Sequence, residues 1–503
     1  MNACPSDAYG SLERTFARIA SVRDAIGVLN WDTETIMPDG AADGRSEQVS
    51  TLEGVAHRLL VAPQIRDLLE SAEAAPRLDD WRQANLREMR RAYLHAAAVP
   101  DDLVEANSKA VSQSVMAWRQ ARKTSDFPML RPYLQEVLDR QREIGAIKGE
   151  ALGLSAYDAL LDGYDPGMRE ARIDELFSDL RARLPSLIDE SRALQASLPQ
   201  LHDFPGPFPI EIQRRLGEKL MAAVGFDFER GRLDVSLHPF CGGATDDVRI
   251  TSRYREQDFI SGLMGVLHET GHALYEQGRP KGWSRQPVGS ARGMTLHESQ
   301  SLLIEMQACR SREFVEFLTP LLRDAFRAEG PAWSAGNLYR HLTRVRPGFI
   351  RVDADEVTYP AHILLRYGLE KAMIAGDLAL NDLPTAFNDG MKALLGLDVP
   401  NDALGCLQDI HWPGGSWGYF PTYTLGAMAA AQLFKAARRA DPGVIPGIGR
   451  GDFSPLRTWL RAHVHSRGSL ANTDDLLQSA TGRPLEAETF ENHIRQRYLS
   501  SAE

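Results

Sequence analysis

Apolar residues recur with a helical period over most of this chain. Leu12, Phe16, Ile19, Val22, Ile26 and Leu29 fall three or four apart and predict a first amphipathic helix. It runs into Trp31-Asp32 and stops at the turn-forming Met37-Pro38-Asp39-Gly40. Arg45 to Leu60 and most of 79–124 read as helix too. Pro128 and Pro132 mark the entry to another through Leu134, Val137 and Leu138, and Leu176, Phe177, Leu180 and Leu184 mark one more. Leu198 to Pro209 holds four prolines and a glycine, which predicts a subdomain hinge near 198–210. Leu201, Phe204 and Phe208 are too apolar for a loose linker.

The period shortens to two in only one region. Arg232 to Phe240 and Asp247 to Tyr254 alternate apolar with polar residues on either side of Cys241-Gly242-Gly243-Ala244-Thr245-Asp246, which predicts an antiparallel hairpin. Helices resume from 290, broken by Gly/Pro-rich loops at 397–424 and 442–454. The expected fold is mainly α: one large helical body over residues 1–503, carrying one small antiparallel sheet.

Directly after the hairpin, Ile260, Leu263, Leu267 and Leu274 mark a helix that contains His268-Glu269-Thr270-Gly271-His272. Residues four apart lie about 40° from one another around a helix axis, one turn along. Both imidazoles of this zincin-like H-E-x-x-H pattern can therefore reach one point suited to Zn²⁺, with Glu269 beside it as a base for a water. A third ligand is needed. Glu298, 26 residues past His272, is a candidate, but Thr295-x-x-Glu298 is also a capping box, and Glu305 is a rival.

Composition narrows the surroundings. A 503-residue chain that is 43% hydrophobic and 25% charged is ordinary for a soluble globular protein. A net charge of −11 argues against a nucleic-acid partner or an anionic membrane surface. Cys4, Cys241, Cys309 and Cys406 are few and scattered, so a reducing cytoplasm is the expected home and no disulfide framework is expected. Arg14, Arg18 and Arg23 interrupt the first thirty residues, unlike a signal peptide, and no apolar run is long enough to span a bilayer.

Further motifs follow in order: His238-Pro239-Phe240, Asp247 to Thr251, His297 to Ser301, Ile350-Arg351-Val352-Asp353-Ala354-Asp355, and Gly405 to Trp412. With His268 to His272, and with Trp31-Asp32, Met37-Pro38 and Arg45 near the start, they resemble the carboxypeptidase Taq family over nearly the whole chain. The resemblance implies a helical fold with a deep groove, one zinc or cobalt ion per chain, a homodimer, and removal of single residues from peptides with a free C-terminus. It maps the metal ligands onto His268, His272 and Glu298.

Peptide hydrolysis also needs donors to an oxyanion, and a carboxypeptidase must bind a terminal carboxylate. His411 and Tyr423 are the expected donors, with Tyr419 as substitute, although the aromatic residues there could simply pack a loop. Arg351, beside Asp353 and Asp355, is the first candidate for the carboxylate; Arg249, beside Asp247, is the second. Either arginine could instead form a structural ion pair. An edge strand of the hairpin could pair with an extended substrate, or merely brace the helix. Two other functions remain: a helical oligopeptidase cutting internally, and a non-catalytic peptide-binding protein, which the presence of Glu269 disfavours.

Overall fold

A computed structural model describes residues 5–75 and 78–500; Cys4 lies outside the described residues. Helices dominate, as the periodicity predicts, and they build two main apolar clusters. The first joins Pro5–Thr35, Ala42–Leu60, Pro63–Glu73 and Asp80–Ala97 through Leu12, Phe16, Ile19, Leu60, Leu69 and Met89. The second and larger one runs from the helix Asp101–Thr124 to the last helix, Ala487–Tyr498. Cys241, Cys309 and Cys406 are free thiols. Among the described residues no helix is long and apolar enough to cross a membrane.

The sheet differs from the expected hairpin. Its strands are β1 (Gly231–Val235), β2 (Cys241–Ala244) and β3 (Asp247–Ser252), in the order β1-β3-β2. β1 pairs with β3 in parallel, Leu233 against Ile250, and only β2 pairs with β3 antiparallel, Gly243 against Val248. The hairpin is thus made by the Cys-Gly-Gly-Ala segment that reads as a loop. Between β1 and β2 the chain turns at Ser236, whose Oγ donates to His238 O at 2.6 Å and lies 2.7 Å from Thr251 Oγ1. Phe240 N then donates to Thr251 Oγ1 at 3.1 Å, which returns the chain along the other edge of β3. Alternation shows which side chains share a face, not which edge a strand takes.

Glycine lets the first helix close that second edge. A Cβ on Gly27 would lie 2.0 Å from the carbonyl oxygen of Gly243, itself at φ +95°. Helix Pro5–Thr35 therefore covers β2 at backbone contact.

The central helix is Phe259–Gly278, capped by Asp258, whose side chain accepts from Ile260 N and Ser261 N. It is buried on nearly every side, between the sheet, the helix Ile210–Val224 and the helix Gly293–Leu302. Phe204 and Phe208, from the proline-rich stretch, join Phe259, Phe326 and Trp333 in an aromatic cluster that holds its first turn. At the far end of the chain, the buried carboxylate of Glu356 takes bonds from Arg497 Nη1 (2.9 Å) and Tyr498 OH (2.8 Å). His493 Nε2 lies 2.8 Å from the same carboxylate, so three residues moor the last helix.

Candidate metal centre

His268 and His272 stand one turn apart on the central helix, and the neighbouring helix brings Glu298 to them. His268 Nε2 is 3.9 Å and His272 Nε2 3.4 Å from Glu298 Oε2. One donor atom from each residue fits within 4.8 Å of the others. Glu298 is not the capping residue its spacing allowed. Its helix begins at Gly293 behind the N-cap Arg292, so Glu298 sits in mid-helix and projects sideways.

Two glycines set this spacing. A Cβ on Gly271 would lie 2.4 Å from Gln300 O and 2.6 Å from Ser301 Cα, so the two helices touch through their backbones. From the opposite side Gly426, on the helix Pro421–Ala440, presses on Glu298, where a Cβ would come within 2.8 Å of Glu298 Cβ. Gly271→Ala is expected to force the helices apart and cost about 1–3 kcal/mol of stability, read as a lowered denaturation midpoint. Metal affinity should fall with it; an unchanged midpoint would show that the contact yields easily.

The charge pattern favours a cation at this point. Burial works against a charged Glu298, but His268 and His272 hold its pKa down to about 2, so it remains a carboxylate. Burial, aided by His297, lowers His272 to about 4 and keeps it neutral. Burial opposes charge on His268 as well, yet Glu298, Glu305 and Glu269 outweigh it and raise it to about 10. Carboxylates that draw a proton onto His268 also favour a divalent ion, which would displace that proton.

The far side of each imidazole is engaged. His268 Nδ1 lies 3.0 Å from Glu305 Oε2, and Glu305 Oε1 accepts from Arg310 Nη2 at 2.6 Å. His272 Nδ1 lies 3.0 Å from His297 O, while His297 Nε2 lies 3.0 Å from Glu276 Oε1. An imidazole that binds a metal through Nε2 is commonly held this way, with Nδ1 donating outward. The residues present therefore fit a divalent metal ion. Glu305, a rival ligand by sequence, meets the outer nitrogen; it sits on a π turn, Leu303–Ala308, that widens the end of the Glu298 helix. Glu305→Gln should weaken metal binding about 10–100-fold in a chelator competition. No change would remove Glu305 from the support of His268.

Glu269 is 7% exposed, and among the described residues no hydrogen bond or ion pair holds its carboxylate. Burial raises its pKa to about 7, with Glu298 and Glu305 acting in the same direction and His268 against. A carboxylate with that pKa exchanges protons near neutrality.

Tyr423 lies three residues before Gly426, so both face the Glu298 side of their helix. His411 Nε2 is 3.1 Å from Tyr423 OH, and the Tyr419 ring stands 5.2 Å from that of Tyr423. Burial, offset partly by Arg351, pushes Tyr423 up to about 12, with Glu298 and Asp409 adding to the rise. Tyr419 rises further, first through burial and then through Tyr423 and Glu298. Both phenols keep their protons and can donate. Burial, with Arg351 beside it, drops His411 to about 3 and leaves it neutral.

Arg351 is buried, but its acid is neither Asp353 nor Asp355. Asp409 holds it, with Oδ1 2.9 Å from both Nε and Nη2, and Nη1 donates to Tyr359 OH at 3.0 Å. Asp355 is instead spent on the backbone amides of Arg346, Val357 and Thr358. Asp409 also accepts from Arg366 Nε at 2.6 Å, so two guanidiniums share one carboxylate and the group is net positive. The Arg351 guanidinium lies 4.9 Å from the Tyr423 ring centre, which joins this cluster to the tyrosine wall. Arg249 pairs with Asp247 at 2.5 Å as expected, and also stacks 4.1 Å over Trp31. Arg366, Tyr359 and Glu276 carried no signal that singled them out. His297 and Asp409 lay inside recognisable motifs without an assigned role.

A family profile described as carboxypeptidase Taq (M32) metallopeptidase matches residues 11–498. Thermostable carboxypeptidase 1 of Thermus thermophilus is 37% identical, covering 99% of either chain. The protein of the same name from Pyrococcus furiosus is 34% identical over 96% of this chain and 97% of its own. Among solved structures, Trypanosoma cruzi metallocarboxypeptidase 1 superposes with a TM-score of 0.96 at 41% identity, covering 98% of this chain and 99% of its own. The M32 carboxypeptidase of Deinococcus radiodurans gives 0.93 at 35% identity, with the same coverage.

Proposed function

The chain belongs to the carboxypeptidase Taq (M32) metallopeptidase family, and on that premise we propose that it hydrolyses the C-terminal peptide bond of peptides with broad specificity. His268, His272 and Glu298 hold one zinc or cobalt ion in this reading, and their convergence on one point beside an untethered Glu269 is the observation that carries it. A divalent ion bound there supplies Lewis acidity, which eases ionisation of a water and polarises the scissile carbonyl.

The chain's own residues do the rest. Glu269 removes the proton of the attacking water and returns it to the departing amide nitrogen, a task suited to its position near neutrality. Tyr423, its phenol protonated and met by neutral His411, donates to the oxygen that gains charge, with Tyr419 packed against it. Arg351 binds the substrate's terminal carboxylate, its plane set by Asp409 and Tyr359 and its positive charge reinforced by Arg366. Arg249, flattened on Trp31, lines the approach.

Paired substrates test the reading. One peptide is supplied with a free C-terminus and as its amide, and products are weighed by mass spectrometry. Loss of single residues from the free form, with cleavage of the amide reduced at least about 100-fold, is the expected result. Internal fragments from both forms would support the oligopeptidase instead.

A further inference from the structure

Where the central helix ends, a cavity of about 360 Å³ opens to solvent, lined by Asp227, Arg230, Gln277, Arg279, Lys281 and Arg461 among others. Four cations face it in a chain whose net charge is −11. Two are answered locally: Arg279 pairs with Glu276 at 3.0 Å, and Arg230 lies 3.6 Å from Asp246 and 3.9 Å from Asp227. Among the described residues Lys281 and Arg461 have no carboxylate within ion-pair distance. Arg457, one turn before Arg461 on the helix Ser454–His463, is turned to Gly225 O at 3.2 Å and brings no acid either.

Cations are common beside the C-terminus of a helix, whose exposed carbonyls carry about half a negative charge. Counted against Glu276, Asp246 and Asp227, the four cations leave one whole positive charge over, which still exceeds that. The cavity is also shaped in advance. Gln277 accepts from Asp227 N at 3.0 Å and donates to Asp227 O at 2.9 Å, which pins the loop carrying Arg230 to the helix end that leads into Arg279. The one carboxylate in the lining, Asp227, already accepts from Glu229 N. A concave, preformed, polar site with surplus positive charge suits a small anion of more than one charge.

We propose that this cavity binds a multivalent oxyanion of the phosphate class, held by Lys281 and Arg461 and flanked by Arg279 and Arg230. The site is separate from the metal centre: among the described residues no hydrogen bond or ion pair joins its lining side chains to His268 or Glu298. It is nevertheless connected to it: Arg279 shares Glu276 with His297, whose carbonyl supports His272. An anion here competes with Glu276 for Arg279.

The test titrates inorganic phosphate into the metal-loaded enzyme by calorimetry, with ionic strength held constant by chloride so that general screening is equal throughout. Lys281→Gln and Arg461→Gln, singly and together, are the comparison variants; both residues are exposed, and peptidase activity without phosphate should match the parent. One saturable site per chain, weakened at least about tenfold in the double variant, is expected. Absence of saturable binding overturns the proposal. So does an affinity that the substitutions leave unchanged, because the phosphate would then sit at the metal centre.

Discussion

Glu269→Gln should keep one metal ion per chain and lose about a thousandfold in kcat/KM, measured on a free peptide alongside elemental analysis. The amide keeps the shape of the carboxyl group but cannot accept a proton. Glu269 is tied to no other group among the described residues, so the substitution breaks no bond that supports the fold. It also removes a carboxylate whose charge burial disfavours, and stability near neutral pH should hold or rise slightly. Intact turnover at full metal content would end the assignment of Glu269 as base.

Glu298→Ala should be worse for the metal than any change in the outer layer. Among the described residues it removes the only carboxylate within ion-pair distance of both Nε2 atoms, at 3.4 and 3.9 Å. Metal affinity should drop by more than the ~100-fold expected of an outer residue such as Glu305. Activity at limiting metal should vanish, and excess ion should restore only part of it. The thermal midpoint should no longer respond to a chelator, since bound metal would no longer add to stability. Parental metal content in this variant would disqualify Glu298 as a ligand.

The helical part of the fold was legible because a buried helix repeats its apolar residues. Ile260, Leu263 and Leu267 announce the central helix and bring His268 and His272 into line. The sheet was legible only in part. β2 is Cys-Gly-Gly-Ala, too small in its side chains to show a period, and its pairing depends on the turn at Ser236. Spacing alone left Glu298 ambiguous for a similar reason, and only the family resemblance chose the ligand: a capping box and a ligand share one spacing until the helix start at Gly293 is known. The acid of Arg351 was out of local reach. Asp353 and Asp355 were nearer along the chain, but Asp409, 58 residues away, reaches the guanidinium because the loop around Gln408 folds back on it. Gln408 fixes that return by accepting from Arg351 N at 2.8 Å and donating to Phe349 O at 3.0 Å.

A peptidase that works inward from carboxyl ends must also survive other copies of itself. Its substrate has to enter as an unwound tail, and the helix Ala487–Tyr498 cannot unwind without surrendering the grip of His493, Arg497 and Tyr498 on Glu356. That would strand a buried charge, which is costly. Self-digestion reaching this helix should therefore stall at Tyr498, with Glu356 acting as the brake.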